Sequence, residues 1–198
     1  AVRDGIEKTG FSVVVIKEDG QRSCLVGKGS GNVDLSSDEI PEELLNNTRA
    51  LSIGSLFFLK KLDGKAAAML FRKAREKGVF TFADMTVDAY GIGSEGIEDV
   101  YPHTDYLLPS YEEAVYVTGK KDMDEIADYF LKRGVGTLVL KLGDKGCFVK
   151  NKENSFFTAP YIVDPVDTTG CGDAFCAGFI SGILKGMTLE ESADYASA

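Results

Sequence analysis

Val163-Asp-Pro-Val-Asp-Thr-Thr-Gly-Cys-Gly-Asp-Ala-Phe175 sets an aspartate, Asp173, directly behind two closely spaced glycines and ahead of a run of small and apolar residues. Glycines at 170 and 172 let the backbone turn tightly and bring amides close to a ligand. The helix expected in "AFCAGFISGILKG", from about Ala174 to Lys185 and closed by Gly186, aims its dipole and its free N–H groups at that loop. The stretch reads as an anion site with a carboxylate beside it. Asp173 has two readings on these residues: it complements the helix dipole, as first-turn acids commonly do, or it serves chemistry at the anion.

Outward from this loop the chain alternates strands and helices. "RALSIGS" reads as a short buried strand, "DGKAAAMLFRKAREKG" as a helix with Ala66, Leu70 and Ala74 on one face and a stop at Gly78, and "VFTFAD" as the next strand. "DYLLPS" gives a further strand, "YEEAVYVTG" and "DMDEIADYFLKRG" two helices, and "TLVLKLG" an apolar strand. "GCFVKNKENSFFTAP" reads as a hairpin, and Thr188 with Glu191 as the capping box of a last helix. Near the start, Phe11 to Val26 forms two apolar runs around Asp19-Gly20, a hairpin signal. The expected fold is α/β: a mainly parallel sheet with helices on both faces, preceded by that hairpin.

Composition narrows the function. The 198 residues are 44% hydrophobic, enough for one domain with a sizeable core, and the net charge of −9 without a basic run opposes binding to nucleic acid or anionic membrane. No apolar run approaches the ~20 residues of a membrane span. Cys24, Cys147, Cys171 and Cys176 lack CxxC spacing and read as reduced, mostly buried thiols, which points to the cytoplasm. The chain starts at Ala1 and ends within a helical pattern, "ADYASA", so further residues are expected at both ends.

Two other motifs read as bland. "GIGSEG" (Gly91, Gly93, Gly96) matches GxGxxG but follows a polar segment and opens no long helix, so it reads as a surface loop. His103, the only histidine, sits in the turn-like "YPHTD" without a nucleophile elbow, and reads as a loop histidine. No GxxxxGK[ST] string is present.

"DTTGCGDAF" (Asp167 to Phe175) resembles the C-terminal signature of the ribokinase-like, or PfkB-type, carbohydrate kinases, D-[ST]-T-G-A-G-D-x-F, with Cys171 for the usual alanine. "LKLGDKG" (Leu140 to Gly146) resembles the family's nucleotide-binding strand and turn, "DYLLPSYEEA" its N-x-x-E segment, and "TGFSVVVIKEDGQR" the region after its substrate lid. The resemblance spans nearly the whole chain, read as one partial domain over 1–198 with the hairpin at 11–26 belonging to or adjoining the lid. The family's first portion would lie upstream and part of its adenine pocket downstream.

The resemblance implies an ATP-dependent kinase acting on a small sugar, with Asp173 as general base and the amides of Gly170, Cys171 and Gly172 as the anion hole. It implies nucleotide contacts from Ser110 and from Lys141, Leu142, Gly143, Asp144, Lys145 and Gly146, alongside Gly172 and Asp173. Glu113 would hold Mg²⁺ through water, and Asp167 and Thr169 match positions that bind K⁺ in some members. A homodimer is also consistent with the lid. The chain departs from the family pattern at Ser110, where asparagine is usual, and in "DMTVD", where Thr86 and Asp88 replace the asparagine and arginine of D-x-N-x-R. Lys141 stands where threonine is usual, and either approaches the phosphates or points to solvent. Two further readings stay open: a nucleoside or vitamin-type alcohol as acceptor, and a regulatory protein that binds nucleotide without catalysis.

Overall fold

The computed structural model describes residues 12–16, 22–26 and 35–198. Strands β1 (Ser12–Ile16) and β2 (Arg22–Val26) pair antiparallel, Ser12 opposite Val26 and Ile16 opposite Arg22, as a separate two-stranded sheet. The expected Asp19-Gly20 turn lies outside the described residues.

Six strands form the main sheet in sequential order: β3 (Ala50–Leu56), β4 (Phe80–Met85), β5 (Tyr106–Leu107), β6 (Thr137–Lys141), β7 (Cys147–Lys150) and β8 (Ser155–Thr158). The first four run parallel, β7 runs antiparallel to β6, and β8 antiparallel to β7. Parallel neighbours need crossovers. Helix α1 (Lys65–Glu76) links β3 to β4, a 3-10 segment (Ser94–His103) links β4 to β5, and α2 (Tyr111–Thr118) with α3 (Met123–Leu131) links β5 to β6.

Alternation along the strands separates two cores. Ala83, Leu107, Leu138, Leu140 and Phe148 pack with Leu70, Phe71 and Ala74 of α1 and Ile126 and Phe130 of α3. Their neighbours in sequence, Phe82, Leu108, Val139, Cys147 and Val149, pack on the opposite face against Phe179 and Ala193, from α4 (Cys171–Leu184) and α5 (Leu189–Ser197). Each fully buried Leu or Phe contributes ~1.5–3 kcal/mol. Helices α4 and α5 approach closely because side chains are missing: a Cβ on Gly182 would lie 2.7 Å from Ser192 Oγ, and one on Gly178 2.8 Å from Ala196 Cα.

Three expectations need correction. Helix α4 begins at Cys171, not Ala174, because Gly170 takes up the left-handed turn (φ 82°) and both Gly172 and Asp173 already lie in helix. Strand β3 is only partly buried, since it forms the edge of the sheet with β4 its one partner among the described residues. The thiols are not mostly buried: Cys147 is buried and Cys176 half-buried, but Cys24 and Cys171 are exposed. Among the described residues no helix is long and apolar enough to cross a membrane.

Candidate active site

Strand alternation also places the site. Asp84 lies two residues beyond Phe82, and Lys141 two beyond Val139, so both reach the α4 face at the C-terminal ends of their strands. There Lys141 Nζ meets Asp84 Oδ2 at 2.6 Å, with side chains only 14% and 10% exposed. The Cys176 thiol, one turn into α4, donates to the same oxygen at 3.4 Å, and Lys141 Nζ lies 3.8 Å from its sulfur. The Met85 amide donates to the other carboxylate oxygen at 2.8 Å.

Burial acts on each of these groups. It pushes the Asp84 carboxyl up, against the pull of the Lys141 ammonium. It would lower Lys141, but Asp84 foremost, then Cys176 and Glu113, outweigh it and leave the ammonium more firmly protonated than usual. The Cys176 thiol is pushed up to about 12 by burial and by Asp84, so it remains a thiol.

The glycine loop faces this pair. Lys141 Nζ lies 3.6 Å from the point a Cβ on Gly172 would occupy. Cys171 donates its amide to Thr168 O at 3.2 Å, and the first intrahelical bond runs from Ala174 N–H to Gly170 O at 2.8 Å. That leaves the Gly172 and Asp173 amides without an acceptor among the described residues, whereas α2, α3 and α5 are capped by Ser110, Asp122 and Thr188. The amide of Cys171, expected in the anion hole, is committed elsewhere.

Asp173 is exposed at the rim, on the wall of a cavity of about 200 Å³ shared with Ser52, Gly54, Asp84, Leu108 and Cys176. Ser110 and Glu113 form a reciprocal cap: the Ser110 amide donates to Glu113 Oε2 at 2.7 Å, and the Glu113 amide to Ser110 Oγ at 3.3 Å. Burial raises the Glu113 carboxyl, with Asp84 adding to the effect. Serine in place of asparagine is thus a helix cap, and Ser110 also bridges to Lys141 through the backbone.

After β6, Leu142 to Gly146 folds into a tight turn, with the Leu142 amide on Gly146 O at 2.8 Å and positive φ at Gly143 (62°) and Gly146 (91°). A Cβ on Gly146 would run into the Thr158 carbonyl, so glycine is required. Asp144 and Lys145 lie in the 3-10 turn Gly143–Lys145. Asp167 accepts from the Thr169 amide at 2.8 Å. Asp88 turns its carboxylate onto the amides of Tyr90, Ile92 and Gly93. His103 lies in the 3-10 segment, its carbonyl accepting from Thr81 Oγ1.

The Asp84–Lys141–Cys176 contact is what sequence reasoning missed. The available signal was the period of two along "VFTFAD" and "TLVLKLG", which puts Asp84 and Lys141 on one face.

A model of the pfkB family carbohydrate kinases matches residues 1–198. An uncharacterized sugar kinase of Archaeoglobus fulgidus is 28% identical over 184 residues, covering 93% of this chain and 72% of that protein. The 2-dehydro-3-deoxygluconokinase of Bacillus subtilis is 37% identical over 103 residues, 52% of this chain and 32% of that protein. A ribokinase of Staphylococcus aureus is 28% identical over 196 residues, 95% and 61% of the two chains. The chain thus spans from about a third to under three quarters of these relatives. The crystal structure of a PfkB protein from Polaromonas superposes with a TM-score of 0.81 at 25% identity, over 99% of this chain and 67% of that one. Motif, fold and whole-length family match agree, and the chain belongs to the pfkB family of carbohydrate kinases.

Proposed function

We propose that the chain carries out ATP-dependent phosphoryl transfer to a hydroxyl of a small carbohydrate, with Asp173 as general base. The observation that carries this reading is Asp173 on the cavity wall, its carboxylate beside the open Gly172 and Asp173 amides at the start of α4. An acceptor hydroxyl in the cavity gives its proton to Asp173 as its oxygen attacks the γ-phosphorus, and ADP leaves. The open Gly172 and Asp173 amides, with the loop from Gly170, receive the charge that develops on the transferring oxygens. The turn from Lys141 to Gly146 lines the nucleotide.

Glu113 fits a hydrated divalent cation held through water: it keeps Oε1 beyond its cap, and among the described residues no three ligating side chains gather to hold a bare ion. Mg²⁺ held there would offset phosphate charge. Asp167 and Thr169 do not fit a K⁺ cage as they stand: Asp167 Oδ1 is turned onto an amide, and both residues are exposed. Hairpin 11–26, with exposed Val13, Val15 and Leu25, is read as adjoining a lid over the acceptor, which also allows pairing of two subunits. The cytoplasm is its proposed compartment.

A panel of sugars, sugar acids and nucleosides assayed for ATP-dependent ADP release tests the reading and identifies the acceptor. Nucleosides turned over in preference to sugars would move the acceptor class, and nucleotide binding with no turnover on any of them would overturn catalysis.

A further inference from the structure

We propose that Lys141 is a catalytic cation for the transferring phosphoryl group, held in place by Asp84 as a positioning residue. The pair would thereby replace the arginine that position 88 lacks. This rests on the kinase reading above and goes beyond it in assigning the two residues their roles.

Four observations meet here. First, Lys141 does not point to solvent: its side chain is 14% exposed, at the C-terminal end of β6, with the ammonium 2.6 Å from Asp84. Second, it stands 3.6 Å from the place a Gly172 side chain would fill, so the absence of that side chain opens a direct path from ammonium to anion loop. Third, Asp88 is turned onto its own loop and carries the wrong sign for phosphate. Fourth, a buried ion pair is a poor stabilising device, because desolvation offsets most of the Coulomb gain and an apolar pair of equal volume commonly does as well. A lysine in this place is better explained by a ligand that needs its charge.

Asp84 has the role of keeping that charge. The titratable and charged groups that act on Lys141 are Asp84 from β4, Glu113 from α2 and Cys176 from α4, and Asp173 acts in turn on Cys176. Burial weakens the ammonium's hold on its proton, and Asp84 is the strongest of the groups that oppose it. The short contact also fixes the long side chain toward Gly172, so little rotamer freedom is lost when phosphate arrives.

The test uses Lys141→Met, Asp84→Asn and the double variant on the full chain. Lys141→Met leaves Asp84 buried without a partner and lowers stability, whereas the double variant removes both charges and restores the melting temperature. Turnover is expected to fall ~10²–10³-fold in Lys141→Met and to stay low in the double variant. Asp84→Asn is expected to move the alkaline limb of the kcat profile to lower pH, which a purely structural role would not do. A stable double variant with turnover within about threefold of the parent, or an unmoved alkaline limb, overturns the proposal. Binding supplies a readout independent of turnover: calorimetry should show the preference for a non-hydrolysable ATP analogue over ADP shrinking about tenfold or more in Lys141→Met. An unchanged preference overturns the role of Lys141, while absence of transfer by the parent chain counts against the kinase reading alone.

Discussion

Two loops of this chain share one pattern, Asp-x-x-Gly-x-Gly: Asp88 to Gly93 and Asp167 to Gly172. Both follow the sheet into a helical segment, both start that segment on a glycine of positive φ, and neither N-terminus has a side-chain cap bond from its N-cap residue. They differ in where the aspartate goes. Asp88 reaches forward and accepts from Tyr90, Ile92 and Gly93 at 3.3, 3.1 and 2.8 Å, so its loop already holds an anion of its own. Asp167 accepts from the Thr169 amide, and among the described residues the Gly172 and Asp173 amides have no acceptor and an ammonium lies behind them. A glycine motif becomes an anion site when the chain does not supply the anion itself.

The largest expected effect separates the loops by chemistry. Asp173→Asn removes the base but leaves the amides, so turnover should fall ~10²–10⁴-fold while nucleotide affinity stays within a few-fold. Steady-state kinetics with the acceptor found by the panel, together with calorimetric ATP binding, checks this. Near-parental turnover would mean that Asp173 only complements the helix dipole.

A matched pair of glycine variants is the next test. Gly170 (φ 82°) and Gly93 (φ 65°) both take the left-handed conformation, and a Cβ at either meets no atom within 4 Å. Alanine should therefore cost each about 1 kcal/mol of stability from backbone strain alone. Only Gly170→Ala should also lower turnover, by about tenfold, since strain there tilts the open amides. Equal kinetic losses in both variants would erase the distinction between the loops.

These contrasts mark what is legible in the sequence. The mainly parallel sheet follows from alternating strands and helices, because the helical crossovers carry periodic signals whereas the 3-10 crossover Ser94–His103 carries none, and the capping box of Thr188 and Glu191 is legible because its two residues are three apart. The Asp84–Lys141 pair joins residues 57 apart, and its members look like ordinary strand-end charges until parallel pairing through β5 brings β4 and β6 to one edge. Similarly, Asp88 reads as a lost arginine, whereas its three amide bonds depend on backbone turns that no residue type announces. The start of α4 is displaced in the sequence reading because Gly170 and Gly172 look alike there, although one turns the chain and the other is already helical. Local signals are legible; contacts across the sheet are not.

Asp88→Asn tests the self-supplied anion. Its slight burial raises the carboxyl, but the amides of Gly93 and Ile92 and the Tyr116 hydroxyl outweigh that and hold it below the usual carboxylate value. A lowered folded value contributes stability that is complete above the unfolded value and is lost as pH falls through the folded one. The variant should be less stable by up to about 1 kcal/mol at pH 7, solvent screening limiting the effect, and the gap should close on acidification below about pH 4. Chemical denaturation at pH 7 and pH 3 measures it, and turnover should be unchanged. A gap that persists at pH 3 would show that side-chain shape, not charge, orders this loop.

The smallest effect concerns how that loop is fastened to α2. Tyr116 donates its hydroxyl to Asp88 Oδ2 at 3.0 Å, while its ring meets Phe57 edge-on with centroids 6.2 Å apart. Tyr116→Phe keeps the ring contact and removes only an exposed hydrogen bond, so the melting temperature should fall by no more than about 1 °C. The informative quantity is the coupling. If Asp88 gathers the loop and Tyr116 only ties its carboxylate to the helix, Tyr116→Phe should have no effect once Asp88→Asn is present. Strictly additive shifts would instead place the tyrosine's contribution elsewhere, in the Phe57 contact at the end of β3, where Phe57 itself holds a positive φ of 79°.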